Sequence, residues 1–298
     1  MRECYLCGGA EFNKRPGSVR DDSDLSVCEC ISCGLIFLSS FDHIDDQFYR
    51  NSQMLEDGTS ELMGKDLKDA TNRFREAELD SERRVLFLQQ QLLNHSVLDF
   101  GCGEGGFLAK AQKLASVAHG VELELRLQNS FKQLELTVYE NLSQLQRSNP
   151  DAQYDIITLF HILEHLPDPK KMVMELLEFL SDKGQIVIEV PNADDALFTL
   201  YSNEPFSNFT YWSCHLFLYT AKTLQMLFDQ MDLKVNYIKQ IQRYPLSNHL
   251  YWLANGRPGG HQKWHFLDSP DLHTAYEKQL AAIGKCDTIL ASVSRLKS

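Results

Sequence analysis

The sequence lacks any long apolar segment. No run approaches the about 18 consecutive apolar residues that a membrane-spanning helix needs. Residues 1–4 also lack the apolar stretch that opens a secretory signal. We therefore expect a cytoplasmic protein with no membrane span. Cysteines stay reduced in that compartment.

A surplus of basic residues is missing as well. The chain has 29 Lys and Arg against 41 Asp and Glu, which gives a net charge of -12 at pH 7. Proteins that bind nucleic acid usually show a basic surplus or a basic stripe, so nucleic acid is disfavoured as a partner. The 298 residues, 43% of them hydrophobic, suffice for one large domain or two unequal ones. The sequence leaves the oligomeric state open.

Cysteines are concentrated at the N-terminus, where five of the eight lie within the first 33 residues. Two C-x-x-C pairs, one formed by Cys4 and Cys7 and the other by Cys30 and Cys33, each precede a glycine. Two such turns together present four thiolates to a tetrahedral Zn²⁺ ion. We predict a structural zinc knuckle with these four ligands. Cys28 offers a competing thiolate to Cys30, and the sequence leaves that choice open.

Strand-like and helix-like segments alternate from residue 96 onward. Such alternation favours an α/β fold with a doubly wound, Rossmann-like and mostly parallel sheet that carries helices on both faces. The segment 155–160 is apolar almost throughout, as a buried parallel strand requires. The predicted strands are 96–100, 117–122, 136–139, 155–160 and 184–190.

The chain divides into four predicted parts. They are a zinc-binding knuckle at 1–40, a helical connector at 41–95, an α/β core at 96–245, and a C-terminal loop and helix at 246–298 that pack on the core. The connector prediction rests on apolar residues at helical spacing over 66–93.

The C-terminal third is less regular in pattern. We predict a helix over 220–231, a strand over 233–241, and loops at 243–252 and 256–270. A final helix is predicted over 271–296. Arg243 and Arg257 lie in these two loops. They could bind a phosphate or carboxylate of the acceptor, or they could belong to an ordered loop with a structural role, and the sequence leaves both alternatives open.

A glycine-rich turn follows the first strand of the core, with the sequence GCGEGG at 101–106. Glycines there allow a ligand to approach the backbone closely. Asp99 lies just before this turn and Glu122 ends the next strand. Carboxylates would repel the pyrophosphate of a dinucleotide, whereas S-adenosylmethionine carries a sulfonium and an ammonium. The turn therefore predicts S-adenosylmethionine as the ligand.

Three segments resemble the motifs of class I S-adenosylmethionine-dependent methyltransferases. They are 97–106, 155–169 and 184–192, in the order and spacing of that family. The resemblance covers roughly residues 80–240 and implies a seven-stranded sheet and methyl transfer as the activity. It also implies a set of cofactor-binding residues, namely Asp99, Gly101, Gly103, Glu122, Asn141, Leu142, Phe160 and His161.

The knuckle is similar to one found in a subset of these methyltransferases. Many of that subset act in sugar and surface-polysaccharide biosynthesis, and 30–38 is the most similar stretch. The resemblance implies a sugar or nucleotide-sugar acceptor. The chain is too short to contain the large additional C-terminal domain of the sugar C-methyltransferases, so whether carbon, oxygen or nitrogen is methylated stays open.

Histidine is the commonest base near pH 7, and three histidines lie where an acceptor is expected. His161 follows the fourth predicted core strand, His165 begins the next helical segment, and His215 lies in an aromatic-rich insert. We name His215 and His161 as catalytic candidates. The alternative role for His215 is that of a buried histidine whose hydrogen bonds stabilise the core. For His165 we favour a structural role, in which its polar side chain fixes the loop.

Two rival functions remain. One is a zinc-knuckle interaction module on a methyltransferase fold that has lost activity. The other is a methyltransferase that acts on protein or RNA, with the knuckle as its reader. The acidic balance of the chain weakens the RNA version.

Overall fold

The computed structural model describes residues 3–44, Phe48 and 70–296. None of the helices within these ranges combines the length and apolar character needed to cross a membrane. The strands are β1 (Phe12–Lys14), β2 (Val27–Cys30), β3 (Ile36–Leu38), β4 (Ser96–Phe100), β5 (Val117–Val121), β6 (Thr137–Tyr139), β7 (Tyr154–Phe160), β8 (Leu180–Pro191), β9 (Phe217–Leu218), β10 (Leu233–Ile241) and β11 (Thr288–Arg295).

The α-helices are α1 (Ala70–Leu92), α2 (Gly106–Ala111), α3 (Gln128–Gln133), α4 (Leu142–Ser148), α5 (Pro169–Glu178), α6 (Ala196–Thr199), α7 (Glu204–Thr210), α8 (Ala221–Asp229), α9 (Leu246–Asn255), α10 (Gly260–Lys263) and α11 (Pro270–Ala282). Short 3₁₀ turns occupy Leu125–Leu127, Leu163–His165 and His265–Leu267. Positions 45–47 and 49–69 of the predicted connector lie outside the described residues, and α1 accounts for most of the remainder.

Seven strands form the central sheet in the order β10-β11-β8-β7-β4-β5-β6. The strands from β8 to β6 in that order all pair in parallel. β11 is antiparallel to both of its neighbours, β8 and β10. The predicted α/β fold with a seven-stranded, mostly parallel sheet is therefore confirmed.

Both faces of this sheet are covered, because neighbouring residues of a strand point to opposite sides. On one side Val97 and Ile156 pack in a cluster with Leu88 of α1. On the other side Leu98 and Ile157 pack in a cluster that includes residues of α4, α5 and α8. Burial of each such aliphatic side chain contributes about 1.5–3 kcal/mol, which explains why the core strands are almost continuously apolar.

A second, smaller sheet joins the N-terminus to the core. Its order is β1-β2-β3-β9, and all three pairings are antiparallel. Phe37 of β3 lies opposite Phe217 of β9, so the sheet is completed by a strand from far along the chain. Leu6 and Val27 belong to the same apolar cluster as the central strands. The knuckle region is therefore packed on the core.

The C-terminal predictions were wrong in three places. The helix predicted over 271–296 ends at Ala282, and the chain turns at Gly284 into β11. α9 begins inside the predicted loop 243–252, and the predicted loop 256–270 contains α10 and a 3₁₀ turn. β11 was missed because its first six residues are all buried, so the strand has no alternating pattern to detect.

Candidate active site

The glycine turn lies at the carboxyl ends of the strands, where the strand order reverses between β4 and β7. Open α/β sheets bind ligands at this point. Gly101 and Gly103 have positive φ angles of 72° and 50°. A Cβ at Gly101 would lie 2.2 Å from Cδ1 of Ile162, whereas a Cβ at Gly103 would meet no described atom within 4 Å. The turn therefore leaves space for a ligand beside Gly103.

The two predicted carboxylates flank this turn. Asp99 is buried beneath it and accepts a hydrogen bond of 2.7 Å from the Thr158 hydroxyl. Burial raises the pKa of Asp99 to about 6, and the nearby Glu122 acts in the same direction. Glu122 accepts hydrogen bonds from the backbone N–H groups of Gly103 (2.8 Å) and Glu124 (3.0 Å). The edge of the site is thus negatively charged.

The remaining predicted cofactor residues follow β6 and β7 at the same sheet edge. Asn141 caps α4, with Oδ1 accepting the backbone N–H of Gln144 at 2.9 Å, and Leu142 opens that helix. Phe160 ends β7, with its ring centroid 4.9 Å from that of Phe107. The structure therefore brings the predicted residues of β4 to β7 to one edge.

His161 is held tightly between charged groups. Its Nδ1 lies 3.2 Å from Oε1 of Glu164, and its Nε2 lies 3.3 Å from Oε1 of Glu189 and 3.2 Å from the Arg243 guanidinium. Burial and Arg243 oppose a charge on the imidazole, but hydrogen bonds with the two glutamates raise its pKa. Its φ of 56° is strained for a residue other than glycine.

A buried charge network surrounds His161. Glu189 is fully buried in β8 and accepts two hydrogen bonds of 2.9 Å from Arg83 and a shorter one of 2.6 Å from Arg84. Arg243 forms an ion pair with Asp80, which lies in α1 together with Arg83 and Arg84. The sequence analysis missed this network, although a glutamate inside the apolar strand at 184–190 was a usable signal.

A family model described as a methyltransferase domain matches residues 64–238, which is more than half of the chain. The chain belongs to this methyltransferase domain family. The match spans the glycine turn, both flanking carboxylates and the fourth-strand segment with His161.

Curated relatives of this methyltransferase domain include ubiquinone biosynthesis O-methyltransferases. The protein of that name from Coxiella burnetii (strain Dugway 5J108-111) is 32% identical over 117 residues, which is 37% of this chain and 50% of that protein. The one from Shewanella sp. (strain ANA-3) is 25% identical over 152 residues, 48% of this chain and 64% of that protein. The chain spans about half to two thirds of the length of these relatives.

Among solved structures, magnesium protoporphyrin IX methyltransferase from Synechocystis PCC 6803, with bound SAH, is similar in fold. The TM-score is 0.52 at 11% identity, and the alignment covers 85% of this chain and all of that one. At this identity the similarity concerns the fold alone.

The knuckle of the methyltransferase places its four predicted thiols together. The Sγ atoms of Cys4 and Cys33 lie 3.6 Å apart, and those of Cys7 and Cys30 lie 3.5 Å apart. The four sulfur atoms all lie within 4.8 Å of one another. Cys28 lies in β2 outside this group. The geometry therefore favours Cys30 over Cys28 as the fourth ligand.

His215 lies in the loop before β9, beside His165. The two ring centroids are 5.0 Å apart, and Nδ1 of His215 lies 3.3 Å from the carbonyl oxygen of Thr210. Burial, with His165 adding to it, lowers the pKa of His215 to about 3. His215 is therefore a neutral imidazole at pH 7 and a weak proton acceptor.

A cavity of about 230 Å³ opens beyond β8. Seven of its 20 lining residues carry an aromatic ring, and it includes Arg243 on the side toward His161. Arg243, which lines this cavity, also pairs with Asp80. The aromatic lining residues are Phe198, Phe206, Phe209, Tyr244, His249, Trp252 and His261. Four of these seven lie in the segments 243–252 and 256–270 that the sequence predicted as loops, whereas the three phenylalanines were not predicted, because α7 and α9 bring the wall together from two separate segments.

Proposed function

We propose that this methyltransferase domain transfers a methyl group from S-adenosylmethionine to a small-molecule acceptor. The observation that carries the proposal is the glycine turn between Asp99 and Glu122. The space at Gly103 admits a ligand close to the backbone. Two carboxylates attract the sulfonium and ammonium groups of this cofactor, whereas they would repel a pyrophosphate.

Bound S-adenosylmethionine would supply an electrophilic methyl group, and the chain would bind and orient it. Asp99 and the glycine turn would hold the methionine end, and Glu122 would accept the ribose hydroxyls. The turn at 140–142 would contact the adenine. Phe160 and His161 would flank the cofactor on the side of β7. Much of the rate enhancement in such a displacement comes from positioning.

The catalytic roles of His215 and His161 stay proposals, and the structure favours a different role for each. His161 is fixed by Glu164, Glu189 and Arg243, which suits a residue that positions the cofactor. His215 has a pKa of about 3, so proton abstraction would be weak. We propose that His215 contributes to the acceptor side of the site as a fixed, neutral side chain rather than as a base.

The acceptor would enter the aromatic-walled cavity. A sugar or nucleotide sugar, as the resemblance implies, would stack one face of its ring on these walls. A hydroxylated aromatic ring is a second candidate, because flat aromatic walls suit it equally and the curated relatives are named for ubiquinone biosynthesis. Arg257, whose guanidinium lies 6.0 Å from the Tyr251 ring centroid, would meet an anionic group on either acceptor.

We further propose that Cys4, Cys7, Cys30 and Cys33 bind a structural Zn²⁺ ion. Thiolates at the corners of a tetrahedral zinc site lie about 3.8 Å apart. The separations of 3.5 and 3.6 Å between Sγ atoms fit this requirement with small adjustments.

The cytoplasmic location and the division of the chain at residues 40, 95 and 245 stay predictions.

Titration of S-adenosylhomocysteine into the purified protein tests the cofactor proposal. We expect micromolar binding in calorimetry, weakened about 10-fold or more by Glu122→Gln, which is about 1.4 kcal/mol. Glu104→Gln is the matched control, because Glu104 is an exposed carboxylate in the same turn. It should leave the affinity within about 2-fold of wild type.

Lack of binding by folded, zinc-loaded protein would exclude the enzyme and favour the interaction module. If binding is found, methyl transfer is next assayed with nucleotide sugars and with catechols. Turnover of one class alone selects the acceptor. Turnover with neither, but with RNA or protein extracts, would support the macromolecular alternative.

A further inference from the structure

Three metal-ligating side chains outside the knuckle converge near the cofactor edge. His165 lies in the 3₁₀ turn after β7, and Cys214 and His215 lie in the loop before β9. One ligand atom from each of the three lies within 4.8 Å of the others. The two segments are about 50 residues apart in sequence, so only the folded chain assembles this group.

The hydrogen bonds of the two histidines favour the Nδ1–H tautomer, which places the lone pair on Nε2, one of the two ring nitrogens that can bind a metal. Nδ1 of His165 lies 2.8 Å from the carbonyl oxygen of Cys214, and Nδ1 of His215 lies 3.3 Å from that of Thr210. A carbonyl oxygen only accepts, so each Nδ1 carries the hydrogen. In the neutral ring the lone pair is then on Nε2. Metal-bound histidines commonly donate their other ring N–H in this way.

Unpartnered polar atoms lie in the same region. Within the described part of the chain, Oε2 of Glu164 and the hydroxyl of Tyr219 are buried and have no hydrogen-bond partner. Glu164 directly precedes the proposed ligand His165 in the same 3₁₀ turn. A buried carboxylate oxygen without a partner is costly, and a cation nearby would relieve this cost.

We propose that His165, Cys214 and His215 form a second metal site, specific for Zn²⁺ or a similar late divalent transition metal. One thiolate and two imidazoles are ligands that such metals prefer, whereas Mg²⁺ and Ca²⁺ prefer oxygen. Three protein ligands leave a fourth coordination position open, and the unpartnered Oε2 of Glu164 is a candidate to interact with a group bound there. Closure to a tetrahedral site would bring the ligand atoms to about 3.3–3.6 Å from one another.

Binding at this site has a defined proton balance. The Cys214 thiol loses its proton to solvent when the sulfur coordinates the metal, and both imidazoles bind in their neutral form. Affinity should therefore increase with pH, with release of one proton for each metal ion bound.

Metal counting on the full-length protein tests this inference, and it needs neither acceptor nor turnover. Protein stripped with a chelator and reloaded with Zn²⁺ should contain about two ions per chain by elemental analysis. His215→Gln and Cys214→Ser should each reduce this to about one. Reloading with Co²⁺ should show a thiolate charge-transfer band that decreases but persists in both variants, because the four-thiolate knuckle remains.

Matched controls separate a specific loss from general damage. Cys286→Ser and His249→Gln change a buried cysteine and a buried histidine that lie outside this group, and both should keep about two ions. His165→Gln repeats the test at a partly exposed position, should Cys214→Ser fail to fold. Wild-type protein with one ion per chain, or unchanged content in the ligand variants, would overturn the proposal.

Discussion

At the scale of single residues, the chain buries ionisable groups in two different ways. Glu189 is fully buried but is neutralised by Arg83 and Arg84, and its pKa is well below the ordinary value. Asp99 is also buried, yet among the described residues its hydrogen bond comes from the neutral Thr158 hydroxyl. The first arrangement favours the carboxylate form, and the second favours the protonated acid.

Asp99→Asn should therefore stabilise the protein at neutral pH in the absence of cofactor. The pKa of Asp99 is raised to about 6, so the folded state holds this proton more tightly than the unfolded state. Stability is lost as pH rises from about 4 through 6, and the variant avoids that loss. We expect a gain of about 1–3 kcal/mol at pH 8 and almost none at pH 4, measured by urea unfolding.

Asp155→Asn is the control with the opposite sign. Burial raises the pKa of Asp155, but hydrogen bonds from Ser96 and Ser181 hold this pKa below its usual value. Its contribution to stability is present above about pH 4 and is lost as pH falls, so the variant should be less stable at pH 8. An Asp99→Asn gain that is absent at pH 8, or equal at both pH values, would contradict the burial argument.

At the scale of elements, the turn after β4 uses its glycines for different purposes. Gly101 permits close packing against Ile162, whereas the space beside Gly103 is open. The N–H of Gly103 also donates to Glu122, which ties the turn to the end of β5. The same sequence pattern thus contains one glycine needed for packing and one that faces the proposed ligand.

Alanine substitutions should separate these two roles. Gly101→Ala should lower the free energy of unfolding by about 2–4 kcal/mol, because backbone strain adds to a clash with Ile162. Gly103→Ala should lower it by only about 1–2 kcal/mol, from backbone strain alone. S-adenosylhomocysteine should nevertheless bind at least about 10-fold more weakly to Gly103→Ala. Equal loss of stability in both variants, with unchanged affinity for Gly103→Ala, would show that no ligand occupies this space.

At the scale of the whole molecule, the knuckle and the α/β core are one packed unit. β3 pairs with β9, and Nε2 of Gln230 in the core donates to the carbonyl oxygen of Leu6 at 2.5 Å. Tyr5 packs its ring 5.2 Å from that of Phe217 and donates a hydrogen bond to Asp168. The zinc ion that we propose for the knuckle should consequently stabilise the core as well.

Cys30→Ser should remove the knuckle zinc and lower the melting temperature of the whole protein by more than about 5 °C in a single transition. Cys28→Ser should keep both the metal and the melting temperature, because Cys28 lies outside the group of four thiols. Scanning calorimetry with elemental analysis measures both quantities. A separate early transition for the N-terminal region, with an unchanged main transition, would argue against coupling.

The central sheet could be predicted from sequence because each parallel strand carries its own apolar signal and its own following helix. β11 could not, since its burial against β8 and β10 depends on strands distant in the chain. The pairing of β3 with β9 was missed for the same reason, as β9 is only two residues long. The aromatic cavity likewise joins α7, α9 and the end of β8.

The sequence by itself determined the fold class, because that depends on local patterns of glycine and apolar residues, and its resemblance to known motifs indicated the methyltransferase family. Only the tertiary structure decided the rest. It fixed His161 among three charged partners and brought His165 beside Cys214 and His215. Such contacts form where loops from distant parts of the chain lie at one sheet edge. The spacing of residues along the chain does not indicate which loops will be neighbours there.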